Sequence, residues 1–226
     1  MNEENYNLVV GVVEKQLDSQ EYSNAYSSTE QGKTDRNHFY MVVEVVTSFW
    51  KENEKGDAPE ALKIAALCHD LDRIYPHLEV DTKNCSKKDY PLRKMIHSGN
   101  SALIFSIENN SLPIDLIHDA SYLIIRHEVG GDRDKKGNLF KKIDKFSKNY
   151  DLNNAADYLF WADKFCFFKT SIFEYSKRGE DRLKFKINFT LEGLPQWLIH
   201  QISNIDFNDE LINKCVTESV KKVIEP

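Results

Sequence analysis

No apolar run in this 226-residue chain approaches the length needed to cross a bilayer as a helix. No membrane association is therefore expected. The opening MNEENYNLVV is acidic and lacks the basic segment of a secretory signal. Four cysteines occur, Cys68, Cys85, Cys166 and Cys215, and none form a CxxC pair. That spacing does not suggest a disulfide framework, so a reducing, cytoplasmic setting is expected. Cys68 and Cys166 lie in apolar runs and read as buried thiols. There is no surplus of positive charge. Lys and Arg number 30 against 36 Asp and Glu, a formal net charge of -6, which disfavours duplex nucleic acid as a partner. A small nucleotide is not excluded, because local charge around a pocket matters more than the total. Internal repeats and low-complexity tracts are absent, and strand-like alternation is scarce.

What the chain does have is helical periodicity and a core's worth of apolar residues, 41% of the whole. Val9, Val12, Val13 and Leu17 recur at helical spacing over residues 5–18. A serine-rich stretch, 19–36, reads as a loop, after which His38 opens a helix. Asp57 is expected to cap the apolar helix that ends in ALCHDL, with Pro59 near its first turn. A polar loop over 72–90 leads to a helix from about Pro91 to Asn109 carrying His97. Ser111 is expected as the cap of the next helix, which runs to Arg126 and ends at His127. A loop containing GGDRDKKGN follows, read as a surface turn with a mobile lid as the alternative. Residues 153–175 form an apolar helix bearing Asp163, and about 180–226 reads as two more helices, the first interrupted by Pro195. The expectation is one all-α domain over 1–226, a compact helical bundle with additional C-terminal helices from about 175.

Four of the seven histidines fall in an ordered series with two aspartates: His38, His69–Asp70, His97, His127 and Asp163. Imidazoles and carboxylates suit Fe, Mn or Zn, and Mg/Mn-type dinuclear sites. Six such groups are about what two metal ions sharing a carboxylate need, with positions left for water and substrate. Adjacent helical residues diverge by about 100°. His69 and Asp70 can face one site only if the helix ends there or the carboxylate spans two ions. Asp163, inside LFWADKFCFF, would be a buried carboxylate costing several kcal/mol without a partner. A metal or a basic side chain would serve. His77, His118 and His200 lie outside the series and read as structural or exposed. The aromatic run Trp161, Phe165, Phe167 and Phe168 reads as core, with base stacking the alternative.

The pattern H…HD…H…H…D, over about residues 35–170, resembles the HD-domain superfamily of metal-dependent phosphohydrolases, with AALCHDLDR, HSGNSALI, IIRHEVGG and FWADKF carrying the likeness. The resemblance implies an HD-like all-α bundle and the dinuclear branch of the family. In that branch Asp70 bridges two ions, His38, His69 and Asp163 serve one, and His97 and His127 the other. The metals implied are Fe or Mn, with Zn, Mg, Co or Ni as further options. Many phosphodiesterase members read HDIGK where this chain reads HDLDR, so Asp72 replaces the small residue and Arg73 the lysine. The implied activity is hydrolysis of a small phosphoester or phosphoanhydride, such as a nucleotide. Asp70, Arg73 and Lys164 are the expected catalytic residues, and Arg73, Arg93, Lys94, Arg126 and Lys164 the expected phosphate-binding cations. Glu128 is expected either to support His127 or to be exposed. Dinuclear members include diadenosine-tetraphosphate hydrolases and cyclic-dinucleotide phosphodiesterases. They also include diiron oxygenases that cleave a polyol or an organophosphonate, and that chemistry is the alternative. A binding module without turnover is the third reading.

Overall fold

A computed structural model describes residues 3–26, 30–75, 90–139 and 150–224. The fold is all-α, and among the described residues no strand occurs beyond an isolated bridge between Arg133 and Leu139. Two compact units divide at Phe160–Trp161.

The first unit is built around its most apolar helix. In order it holds α1 (Glu4–Leu17), α2 (Gln20–Tyr26), α3 (Glu30–Asn53), α4 (Glu60–Cys68), α5 (Tyr90–Glu108) and α6 (Ile114–Arg126). The first part of α7 (Leu152–Cys166) completes it. Helix α4 is buried almost all round, from Ala61 and Leu62 to Leu67 and Cys68, which is why its sequence shows little amphipathic contrast. Helices α1, α3, α5 and α6 pack against it. A 3-10 turn, Leu71–Ile74, follows directly and packs on α5.

Three sequence expectations give way here. Residues 20–26 are helical, and α3 begins at Glu30 rather than at His38. The Ser19 hydroxyl accepts from the Tyr22 amide, a side-chain cap inside the serine-rich stretch, and Tyr22 is buried with its hydroxyl on Asp35. Buried Tyr22 anchors α2, a weaker signal than periodicity. Asp57 does not cap α4 and Ser111 does not cap α6. Pro59 and Pro113 take the N-cap positions in extended conformation, and no side-chain cap bond forms. Cys85 and His77 lie outside the described residues.

The second unit continues from the end of α7 through a π-helical turn, Phe167–Ser171. It then holds α8 (Ile172–Ser176), α9 (Glu180–Leu191), α10 (Gln196–Ser203) and α11 (Glu210–Ile224). Pro195 interrupts this region as expected, standing at the N-cap of α10. Phe165, Phe167 and Phe168 are buried with Ile187, Leu198 and Ile212, and Trp161 meets Trp197 edge to face. The aromatic run is core. Cys166 and Cys215 are buried free thiols here, as Cys68 is in the first unit.

Candidate metal centre

Helix α4 stops at Cys68, and the chain turns at once. His69 is still helical at φ -60°, ψ -30°, whereas Asp70 moves to φ -114°, ψ 28° and starts the 3-10 turn. That break brings two neighbouring side chains to one side. His69 Nδ1 donates to the Ala66 carbonyl at 2.8 Å, so its bare Nε2 points toward Asp70. The same device recurs at the end of α6. His127 occupies the C-cap, and its Nδ1 donates to the Ile124 carbonyl at 2.6 Å. In both cases a carbonyl three residues back, in the last turn of the helix, fixes the ring and its tautomer.

The Nε2 atoms of four histidines converge on the Asp70 carboxylate from four helices. Oδ1 faces His97 at 2.7 Å and His127 at 3.7 Å. Oδ2 faces His69 at 3.4 Å and His38 at 3.5 Å. His38 and His69 meet at 3.2 Å through their Nε2 atoms. One donor atom each from Asp70, His97 and His127 falls within 4.8 Å of the others. His69, His127 and Asp70 are buried, while His38 and His97 keep 18% and 15% of their side chains exposed, which leaves an approach from solvent. Buried Oδ2 accepts no well-formed hydrogen bond, although Arg73 Nη1 lies 2.6 Å away as an ion pair. A buried carboxylate with a poorly satisfied oxygen, ringed by four imidazole nitrogens, three of them on rings whose far nitrogen is already tied, is a donor set that suits a transition metal. The residues fit a metal ion.

Electrostatics set the protonation states. Burial pushes the Asp70 carboxyl up, but Arg73 and the histidines outweigh it and hold the group well below the usual carboxylate range. Burial opposes charge on His97 too, yet Asp70 and Asp72 on its two ring nitrogens push it up to about 9. His127 goes the other way, lowered by burial and then by His69.

Asp72 is the residue that sequence reasoning undervalued. It is buried and accepts from His97 Nδ1 at 2.7 Å, while the Ser101 hydroxyl donates to its other oxygen. Asp72 therefore orients His97 as the carbonyls orient His69 and His127. The signal was present as the second Asp of HDLDR and the serine four residues after His97. Asp35, one helical turn before His38, is a second buried carboxyl. Burial raises its pKa against the opposing hydrogen bond from Tyr22 and the charge of Arg73.

The expected cations separate. Arg73 reaches the cluster, half-exposed. Lys94 is paired with Glu128 at 2.5 Å, which also accounts for Glu128. Arg126 holds the following loop, through Gly130 O at 2.7 Å and Asp132 at 2.9 Å. Arg93 lies on α5 in the turn before His97, partly exposed. Lys164 lies in the second unit, with its ammonium on the Phe189 and Glu192 carbonyls. Asp163 is beside it in the last turn of α7, in the second unit and partly buried. His118 touches Asp119, and His200 is exposed.

The loop after His127 is strapped down over its described part. Gly131 N–H donates to buried Asp157, which also pairs with Arg133 at 2.5 Å, and the Asp132 amide donates to Asn153. These bonds make it a fixed turn rather than a lid.

No helix among the described residues is long and apolar enough to cross a membrane. No protein-family model, curated protein or solved structure matches the chain.

Proposed function

We propose that the protein is a metal-dependent phosphohydrolase of HD type, acting on a nucleotide or another small phosphoester or phosphoanhydride. The observation that carries this reading is the placement of Asp70. Each of its oxygens faces its own histidine pair, which suits a carboxylate shared between two ions. Fe or Mn is the metal this donor set and the resemblance favour. The resemblance adds Asp163 as sixth ligand.

Bound metal ions would supply Lewis acidity and a water of lowered pKa. The protein's own part is positioning. Main-chain carbonyls hold His69 and His127, and Asp72 holds His97, so the nitrogen donors are aimed before anything binds. Arg73 is the cation at hand for a phosphoryl oxygen. Its guanidinium offers paired donors and is already drawn to the cluster by Asp70. A phosphate competing for those donors gains charge stabilisation in phosphoryl transfer, where catalysis is chiefly positioning and electrostatics.

The test is turnover by protein reconstituted with Mn2+ or Fe2+, on dinucleoside polyphosphates, cyclic dinucleotides and nucleoside monophosphates, with oxygen uptake followed in parallel. Release of phosphate or a smaller nucleotide without oxygen consumption is expected. Arg73→Ala should keep its metal and lose about 100-fold in kcat/KM, the size of one or two charge-assisted hydrogen bonds. Oxygen uptake with an oxidised polyol or phosphonate product would replace hydrolysis with the oxygenase reading.

A further inference from the structure

Helix α5 is apolar on the side that faces away from the metal cluster. Leu92, Met95, Leu103 and Ile107 are 57%, 70%, 59% and 59% exposed. At about 100° per residue these four, with Ile96 and Gly99, fall within an arc of about 120°. His97, Ser101 and Phe105 occupy the opposite side. A helix on a protein surface ordinarily turns polar residues outward, so α5 is amphipathic in neither direction. Its neighbour α6 continues the surface. Ring contact between His97 and His127 and the Ser106–Ser121 hydrogen bond fix the two helices antiparallel. Ile114 then stands level with the end of α5 and Ile125 level with Gly99. Both are exposed, at 77% and 49%. Most of the large exposed apolar side chains of the described residues thus belong to one helical hairpin, where an interaction site is the ordinary explanation.

Gly99 says what kind of partner fits. A glycine inside a helix costs about 1 kcal/mol relative to alanine. A Cβ at this position would meet nothing within 4 Å in its own chain, so no internal contact requires its absence. A second helix crossing closely at Gly99 would require it.

We propose that this face is the two-fold interface of a homodimer, with α5 packed antiparallel on α5 of a second copy and crossing at Gly99. The face is self-complementary in that register. Antiparallel pairing about residue 99 sets Met95 against Leu103, and Leu92 against the Ser106–Ile107 turn. It also brings the Arg93 end of one helix to the Glu108 end of the other, whereas parallel pairing would oppose like charges. A closed two-fold contact is the commonest way to cover such a surface. The chain's net charge of -6 makes an anionic membrane a poor occupant. This inference does not depend on the metal chemistry.

The experiment is light scattering on the full chain at micromolar concentration, with two variants. The expected mass is twice 26.3 kDa. Met95→Lys alters a mostly exposed side chain, so it should keep its helicity and metal content while running as a single chain. Met95→Cys combined with Leu103→Cys sets a thiol of one copy against a thiol of the other on each side of the crossing, near enough to be bridged, without adding a Cβ at Gly99. With diamide as oxidant it should form a covalent dimer that the wild-type protein does not. A wild-type mass of one chain would overturn the proposal, whether or not that monomer binds lipid vesicles. So would a dimer that survives Met95→Lys and leaves the Met95→Cys, Leu103→Cys variant uncrosslinked.

Discussion

At Asp70 the two carboxylate oxygens have different neighbours, and the roles of the surrounding residues follow from that split. His97 and His127 stand on one side, His38 and His69 on the other. Asp72 touches the cluster only through His97. Removing it leaves all four histidines and Asp70 in the chain but frees one ring to rotate. Asp72→Ala is expected to weaken metal binding about 10–100-fold without unfolding the protein, as loss of an orienting partner typically does. Isothermal titration with Mn2+ measures it, and Asp72→Asn, which keeps an acceptor, should recover part of the loss. The histidine shifts also predict a pH profile for metal-free protein. His97 is raised to about 9, so its ion pairs stabilise fully below its unfolded value of about 6.5 and are lost as pH rises through 9. His127 is lowered, so the native state loses stability as pH falls below about 6.5. Denaturant unfolding from pH 5 to 10 should show a maximum near pH 6.5, with a decline toward pH 9, and His97→Gln should flatten that alkaline side. At this scale the series of metal-type residues was legible in sequence because histidine and aspartate beside apolar runs are conspicuous. Asp72 was seen only as a departure from a family pattern, since nothing in a sequence says that a carboxylate at i+2 will turn back onto a histidine 25 residues on.

Helix ends do much of the positioning. Helices α4 and α6 each stop at a histidine, and each spends a terminal carbonyl on that ring. Both ends were readable, because ALCHDL and IIRH break a strong apolar period. The extent of α3 was not readable, since its first turns are polar and its register is held by a long-range bond from Tyr22 to Asp35. The proposed caps Asp57 and Ser111 failed for a related reason: proline already sets the entry geometry at both helices. The loop after His127 read as a surface turn, with a mobile lid as the alternative its glycines suggested. Gly131 is required instead by close packing: a Cβ there would lie 2.4 Å from the Asn153 carbonyl oxygen and 2.6 Å from Leu139. A backbone atom cannot step aside as a side-chain tip can. Gly131→Ala should cost about 1–3 kcal/mol, read as a lower denaturation midpoint at unchanged slope. Gly137, with no neighbour within 4 Å, is the control for contact, although its φ of +81° still disfavours alanine.

For the molecule as a whole, the all-α class was the most legible feature, because helical periodicity recurs in every long segment and the core is apolar enough to bury it. The gathering of His38, His69, Asp70, His97 and His127 around one carboxylate could only be expected from their order, since the nearest pair in sequence besides His69–Asp70 is 27 residues apart. Tertiary packing of α3, α5 and α6 around α4 brings them together. The proposed function requires that gathering to be a metal site. The most direct test is elemental analysis of gently purified protein reconstituted with Mn2+ or Fe2+, beside Asp70→Ala treated identically. Two ions per chain in the wild type, lost in Asp70→Ala while its helicity is retained, is the predicted result. Wild-type protein that takes up no metal, or an Asp70→Ala variant that holds as much as the wild type, would contradict it.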